Sequence, residues 1–246
     1  MRASGLVLAL SIATAAAPAR ADGSQPARGP DPAPERLLQG FAAVDRPMGI
    51  AEGSVGVLTL PGAEVCAERS AGCSQGDVSL AVEVWQIYRF NKRFAFGAGV
   101  VLGLIPMAQP LQDPEVVERD HKRSYLTLEG SFRYYPFVGE SLEAWLVVVG
   151  GGVVVNDSFQ VVNGTDDRAL LGNQGVTIRS EGGSFGAATG FAYRLSDHFS
   201  FGGTLRIATW FLPKEPATDP LGSEASLTGR NTVLTLAFGL AYRVPL

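Results

Sequence analysis

The sequence predicts an all-β fold class, an eight-stranded antiparallel up-and-down transmembrane β-barrel. Three observations lead to this prediction. Bulky apolar residues alternate with small, glycine-rich or charged residues along most of the chain, which is the period of a β-strand. No apolar run after the N-terminal region is long enough for a membrane-spanning helix. Short and long connections alternate between the predicted strands, as they do in an up-and-down barrel in a membrane.

The composition of the chain argues against a nucleic-acid-binding function. The 246 residues include 30 glycines and 46% hydrophobic residues but only 18% charged residues, and the formal net charge is -4. A barrel of this length is routinely one domain. The chain has no cluster of lysine and arginine of the kind that neutralises phosphates, so we expect no nucleic-acid partner.

The N-terminal part of the chain is expected to lie outside the barrel. Residues 1–21 contain an early arginine, an apolar stretch and a small-x-small ending, which together predict a cleaved signal peptide. Residues 22–47 are rich in proline and small polar residues, so we expect a disordered periplasmic segment. The predicted barrel domain covers residues 48–246.

Period-2 alternation gives the strands one bulky face and one small face. In the last strand, Leu234, Leu236 and Phe238 share a face, whereas Ala237 and Gly239 lie on the opposite face. A small barrel in lipid needs an apolar exterior and has a cramped interior, so we assign the bulky face to lipid. The predicted strands are residues 49–60, 77–90, 93–106, 123–136, 143–156, 176–195, 198–212 and 230–245.

The connections between these strands predict the orientation of the barrel. Three are short and four are long, and the two kinds alternate strictly. Membrane barrels have short periplasmic turns and long extracellular loops, so both termini are expected on the periplasmic side. The short connections are Asn91–Lys92, Val138–Leu142 and Ser196–Asp197, and the long ones are 61–76, 107–122, 157–175 and 213–229.

An aromatic residue followed by arginine recurs at the periplasmic end of each descending strand. Neighbouring strand residues face opposite ways, so each ring is expected to meet lipid while the guanidinium enters the barrel. We therefore predict a periplasmic girdle of rings, because amphipathic rings favour the membrane interface. Its predicted members are Tyr88, Phe90, Phe94, Phe96, Phe132, Tyr134, Tyr193, Phe199 and Tyr242.

The same alternation directs several charged side chains into the lumen. Charges in a narrow lumen of low dielectric must be paired. They form either a salt-bridged plug or a solute path whose selectivity they set, and the sequence leaves both interpretations open. The predicted lumen charges are Glu83, Arg89, Glu129, Arg133, Arg194, Arg206 and Arg243.

These features together resemble a known group of proteins. The signal peptide, the eight strands, the alternating connections and the final strand "LTLAFGLAYRVPL" resemble the small outer-membrane β-barrel families typified by OmpA, OmpX and OmpW. The resemblance covers roughly residues 48–246 and implies the fold and a location in the outer membrane of a Gram-negative envelope. It also implies contact with membrane lipid, including lipopolysaccharide, and recognition by the barrel-assembly machinery. Such chains usually end in an aromatic residue, whereas this one ends in Pro245-Leu246, so we expect Tyr242 to substitute.

Two cysteines lie close together in the first long connection. Cys66 and Cys73 are the only cysteines of the chain. In an oxidising compartment they are expected to form a local disulfide that closes this loop. A metal site would need more ligands than two thiols, so no metal is predicted here.

No catalytic or cofactor-binding residue is predicted, and no cofactor is expected. His121 lies near Glu118 and Ser124 at the extracellular end, where a lipid-A-modifying enzyme would place its base. Loop histidines with charged neighbours are usually solvated, so we interpret His121 as a surface residue.

The expected function is non-enzymatic: envelope structure, or surface interaction through the extracellular loops with a partner that the sequence does not specify. A small porin-like channel and a lipid-A-modifying enzyme are the alternatives.

Overall fold

A closed barrel of eight strands is the architecture of the computed structural model, which describes residues 46–63, 78–104, 119–161, 176–218 and 224–246. Each strand pairs antiparallel with the next, and β1 also pairs with β8, so no strand edge is left within the ring. This confirms the predicted fold class. The strands are β1 (Met48–Thr59), β2 (Val78–Arg89), β3 (Phe94–Gly103), β4 (Arg119–Val138), β5 (Leu142–Val161), β6 (Val176–Arg194), β7 (Phe199–Phe211) and β8 (Arg230–Pro245).

The two faces of the barrel differ as the alternation predicts. On β7, Leu205 and Ile207 are more than half exposed, whereas Ala208 and Trp210 are buried. An exterior of exposed aliphatic and aromatic side chains is what lipid requires, since lipid removes the need for a polar outer surface. Within the described residues, no helix has the length and apolar character needed to cross a membrane.

Glycine on the inner face admits large rings into the lumen. A Cβ at Gly99 would lie 2.3 Å from the ring of Trp85, its partner on β2. A Cβ at Gly190 would likewise lie 2.6 Å from the ring of Trp145 on β5. The glycine-rich face is therefore not empty, because the space left by these glycines is filled by indole rings from neighbouring strands.

Three strands continue beyond the rim of the barrel at the end away from the short turns. β3 ends opposite Tyr125 of β4, and β7 ends opposite Gly183 of β6. Pairing of β4 with β5 and of β5 with β6 nevertheless continues past these points. Residues 119–124, 155–161 and 176–182 thus form a three-stranded extension, the projecting sheet, which is about 20 Å long at the usual rise of a strand.

This extension corrects two predicted boundaries. Alternation predicts that strand 4 starts at residue 123 and that strand 5 ends at residue 156, whereas β4 begins at Arg119 and β5 ends at Val161. The added residues, "RDHK" and "DSFQV", are mostly polar and resemble loop sequence. Pairing between β4 and β5 nevertheless holds these residues in the sheet.

A bulge lies in β4 near the end of the barrel that carries the short turns, which the sequence predicts to be the periplasmic end. The register with β5 shifts between Tyr134 and Phe137, around Pro136. Tyr134 and Phe137 are exposed on the outside, while Tyr135 between them is buried in the lumen. Bulges tolerate proline and re-aim side chains, and this one places a tyrosine ring among the lumen arginines.

Candidate functional site in the barrel lumen

The periplasmic end of the lumen is built around one carboxylate. Glu143, the second residue of β5, accepts hydrogen bonds from three arginines that other strands carry. The Nη1 of Arg89 lies 3.2 Å from both oxygens, the Nη2 of Arg194 lies 3.1 Å from Oε1, and the Nη2 of Arg243 lies 2.9 Å from Oε2. We call these four residues the Glu143 cluster. It ties β2, β5, β6 and β8 together across the lumen.

Further contacts fix the position of Arg89 in this cluster. Its Nε and Nη2 donate to the carbonyl oxygens of Asn91 and Lys92 in the first periplasmic turn, at 3.2 and 2.6 Å. Its guanidinium carbon also lies 4.0 Å from the centre of the Tyr135 ring, a cation–π contact. Each of its three nitrogens therefore donates to an acceptor of the barrel, which fixes the guanidinium in place.

A second ion pair crosses the lumen above this cluster. Arg133 on β4 donates from Nη1 and Nη2 to the two carboxylate oxygens of Glu52 on β1, at 2.7 and 2.6 Å. The ring of Trp145 stacks against the same guanidinium, 5.2 Å from its carbon. Bidentate pairs of this kind fix both distance and orientation.

A third ion pair lies towards the extracellular side. Arg206 on β7 donates from Nη2 to Oε1 of Glu129 on β4, and the hydroxyl of Ser184 donates to the same oxygen at 2.7 Å. Both charged side chains are buried. The pair links two strands that are not neighbours in the barrel.

Glu83 differs from the other lumen carboxylates. It is only 4% exposed and accepts a hydrogen bond from the indole of Trp85 at 3.1 Å. In the part of the chain that the structure describes, it forms no ion pair. It lies instead beside a small cavity between the Arg133–Glu52 and Arg206–Glu129 pairs.

This cavity in the described part of the lumen has a volume of about 50 Å³. Buried polar atoms without a hydrogen-bond partner line it, namely Nε of Arg133, Nε and Nη1 of Arg206, and Oγ of Ser131. A cavity of this size that carries unpaired polar groups has room for a few ordered water molecules.

The extracellular mouth is covered by a segment of the β7–β8 connection. The backbone nitrogen of Ser226 donates to Asp157 at 3.0 Å, and its hydroxyl contacts the same carboxylate. Arg123 donates from Nε to the Ser226 hydroxyl at 2.6 Å and lies 3.3 Å from Asp157. Below them, the rings of Tyr125 and Trp210 pack 5.2 Å apart. We call residues 224–228 the mouth cover.

Apolar contacts hold the mouth cover against the projecting sheet. Ala225 is buried in a small cluster with Phe159 of β5 and Ile178 of β6, while Leu227 is buried in the main core. The inner face of the projecting sheet is therefore packed, and the cover is not a loose loop over an open pore.

The structure places the predicted site residues as follows. The seven predicted lumen charges all lie on the inner face, and only Arg194 among them is not fully buried. His121 lies on β4, but its side chain is outside the described part, as are Cys66 and Cys73. Among the described residues, no group of three or more histidine, cysteine, aspartate and glutamate side chains could hold a metal ion.

The predicted girdle residues lie on the outer face near the short turns. Several of their rings contact one another; for example, the ring of Phe94 contacts those of Phe132 and Tyr134.

Four charged lumen residues are absent from the sequence prediction. Glu52 belongs to a predicted strand, and strict alternation from the small residues on the same face could have placed it inside. Glu143 also belongs to a predicted strand, but β5 is apolar on both faces, so alternation gives little contrast there. Arg123 and Asp157 lie at the predicted strand boundaries, so no alternation was available there. Their pairing depends on the register between β4 and β5.

A closed antiparallel barrel of eight strands, with an apolar exterior and a charged, paired interior, is a transmembrane barrel of the outer-membrane type. Comparison with solved structures agrees. A major outer membrane protein from Thermus thermophilus is similar with a TM-score of 0.50 and 13% identity, over 80% of this chain and 99% of that one. This likeness supports the fold, and it confirms the resemblance found in the sequence at that level.

Two further structures are similar at lower scores. Neisserial surface protein A (NspA) has a TM-score of 0.49 and 10% identity, over 81% of this chain and 97% of that one. Ail, the attachment invasion locus protein of Yersinia pestis, solved with the heparin analogue sucrose octasulfate, has a TM-score of 0.46 and 12% identity, over 81% and 99%. No protein-family model and no curated protein matches the sequence.

Proposed function

We propose that this chain is a non-enzymatic outer-membrane protein whose barrel is a closed anchor and whose extracellular surface makes the functional contacts. The observation that carries the proposal is the mouth cover, in which Ser226, Asp157 and Arg123 close the lumen and brace the projecting sheet with the same hydrogen bonds. The same contacts thus support both parts of the proposal, the closed barrel and the extracellular surface that makes the functional contacts.

Closure is supported at every level of the lumen. The Glu143 cluster, the Arg133–Glu52 pair and the Arg206–Glu129 pair each cross the interior, and the Tyr125–Trp210 contact lies above them. In a lumen of low dielectric, paired charges of this kind are costly to separate. A solute would have to separate several pairs in turn.

The projecting sheet supports a role in surface contact. Its outer face carries side chains that suit water and not lipid, with Lys122, Thr177, Arg179 and Glu181 exposed and Asn156 half-buried. Exposed polar groups on a braced sheet keep their relative positions, so a partner meets a surface that needs little ordering on binding.

The membrane position proposed for the barrel follows from its outer face. The periplasmic girdle and the aliphatic belt above it would lie in the membrane, with phospholipid and lipopolysaccharide as the lipid contacts. The aromatic Tyr242, near the end of β8, is our proposed signal for the barrel-assembly machinery.

Planar-bilayer recording of the refolded chain tests the proposal. A closed anchor predicts no stable conductance steps above those of protein-free bilayers. Stable steps that Arg206→Gln or Glu83→Gln shifts would instead establish the second candidate, a small channel. That candidate is favoured by one observation only, the cavity beside Glu83 and Arg206.

A further inference from the structure

The Glu143 cluster carries more positive charge than its carboxylate neutralises. Three guanidiniums contact one carboxylate, which leaves an excess of two positive charges. The side chains are well buried, with exposures of 1% for Arg89, 8% for Arg243 and 12% for Arg194. Uncompensated charge at a buried site is unfavourable, so this end of the lumen attracts an anion.

Two of the three arginines keep donors available for such an anion. Arg243 uses Nη2 for Glu143 and Nε for the hydroxyl of Ser200, at 2.9 and 3.2 Å. Arg194 uses only Nη2 for Glu143. Within the described residues, Nη1 of Arg243 and both Nε and Nη1 of Arg194 form no hydrogen bond, and the side chain of Arg194 is partly exposed.

The surrounding turns do not neutralise this excess. Glu140 and Asp197 are exposed in the neighbouring periplasmic turns and form no ion pair within the part of the chain that the structure describes. Lys92 and Arg93, exposed in the first periplasmic turn, carry two positive charges that offset these two carboxylates, so the excess of the cluster remains. The field at the periplasmic mouth therefore favours an anion entering from that side.

We propose that the periplasmic mouth of the barrel binds a phosphate group, held by Arg194 and Arg243. Near neutral pH a phosphate monoester carries about 1.5 to 2 negative charges and free phosphate carries between one and two, so either offsets most of the excess of the cluster. The planar fork of arginine suits phosphate oxygens, and Glu143 holds both forks in place. Free phosphate and the phosphomonoester headgroup of a lipid share this chemistry.

Titration of the full refolded chain in non-ionic detergent micelles with inorganic phosphate tests the site. Phosphorus NMR line broadening should saturate, and sodium chloride at equal ionic strength should not displace the phosphate. Arg194→Gln and Arg243→Gln should each weaken binding roughly tenfold, as the loss of charge-assisted hydrogen bonds predicts. Arg179→Gln, in the projecting sheet far from the cluster, is the matched control and should bind as the unaltered chain does.

Arg194→Lys separates the effect of charge from that of geometry, because it keeps the positive charge and removes the planar set of guanidinium donors. We expect binding between that of the unaltered chain and that of Arg194→Gln. Each variant is first checked for the heat-dependent gel shift of a folded barrel, and if Arg243→Gln does not fold, the more exposed Arg194 carries the comparison. Equal effects of phosphate and chloride, or binding that neither arginine variant weakens, would overturn the proposal.

Nanodiscs separate the two sources of phosphate. If a lipid phosphomonoester is the ligand, nanodiscs of phosphatidylcholine with added phosphatidic acid should suppress binding of inorganic phosphate, whereas pure phosphatidylcholine should not. If free phosphate is the ligand, binding should be equal in both. Either result requires the two arginines, and binding that persists in the Arg194→Gln, Arg243→Gln double variant contradicts the site.

Discussion

The guanidinium of Arg133 on β4 donates two hydrogen bonds, of 2.7 and 2.6 Å, to the carboxylate of Glu52 on β1. Two strands lie between β1 and β4 in the barrel wall, so the pair spans the interior and does not run along a wall. The ring of Trp145 lies against the same guanidinium, 5.2 Å from its carbon, and narrows the lumen at this level. Stability and closure therefore depend on the same contacts.

Removing one partner of the Arg206–Glu129 pair should destabilise the barrel strongly. Arg206→Met leaves the buried carboxylate of Glu129 with only the hydroxyl of Ser184, and we expect a loss of about 3–5 kcal/mol in the free energy of unfolding. Urea unfolding in lipid vesicles measures this loss.

The double variant distinguishes charge from packing at this site. Arg206→Met with Glu129→Met removes both charges, and replacing a buried pair by apolar residues is often close to neutral. We expect most of the lost stability to return. A double variant as unstable as Arg206→Met would show that the packing of the lumen, and not the unpaired charge, was lost.

Breaking the mouth cover should expose the β7–β8 connection. Asp157→Ala removes the acceptor for the Ser226 backbone and for Arg123, so the cover should detach while the barrel stays folded. Limited proteolysis should then cut within residues 212–229 faster than in the unaltered chain. The control is Glu181→Ala, which breaks the exposed pair with Arg179 and should leave the cleavage rate unchanged.

A charge on the outer face should be costly in proportion to its depth. Leu205 is 53% exposed at the centre of β7, so Leu205→Arg should lower the free energy of unfolding in lipid by about 2–4 kcal/mol. Val244, near the end of β8, is exposed at the proposed interface, and Val244→Arg should cost only about 0–1 kcal/mol. Equal costs at the two positions would contradict the proposed membrane position.

The proposed orientation can be tested on intact cells. In a chain with Cys66 and Cys73 changed to serine, Thr177→Cys on the projecting sheet should react with a membrane-impermeant maleimide. Asp197→Cys in the β6–β7 turn should react only after the outer membrane is opened. Both positions are exposed, so the difference reports sidedness and not burial. Labelling in the reverse order would show that the short turns face outwards.

Alternation predicted the strands and the faces because a barrel in lipid imposes it on nearly every residue. It could not place Glu143, because β5 is apolar on both faces and offers little contrast between them. The mouth cover could not be predicted from the sequence for another reason. Arg123 and Ser226 are 103 residues apart in sequence, and only the extended register of β4 with β5 brings Asp157 between them.

The packing of rings in the lumen was also less evident from the sequence than the charges within it. A face of glycine, alanine and serine indicates a narrow interior, but the free volume of the lumen depends on which aromatic rings pack against which glycines. Trp85 over Gly99 is such a case. The single step that sequence reasoning lacked was the cross-strand register, which decides both the ring contacts and the partners of each charge.

Fluorescence quenching of the tryptophans tests the closed lumen most directly. The chain has only three, Trp85, Trp145 and Trp210, and all are buried inside the barrel with exposures of 6%, 5% and 0%. In lipid vesicles, we predict weak quenching both by aqueous acrylamide and by brominated lipid chains. Strong acrylamide quenching would contradict a sealed lumen, and strong quenching by brominated lipid would contradict the assignment of the inner face.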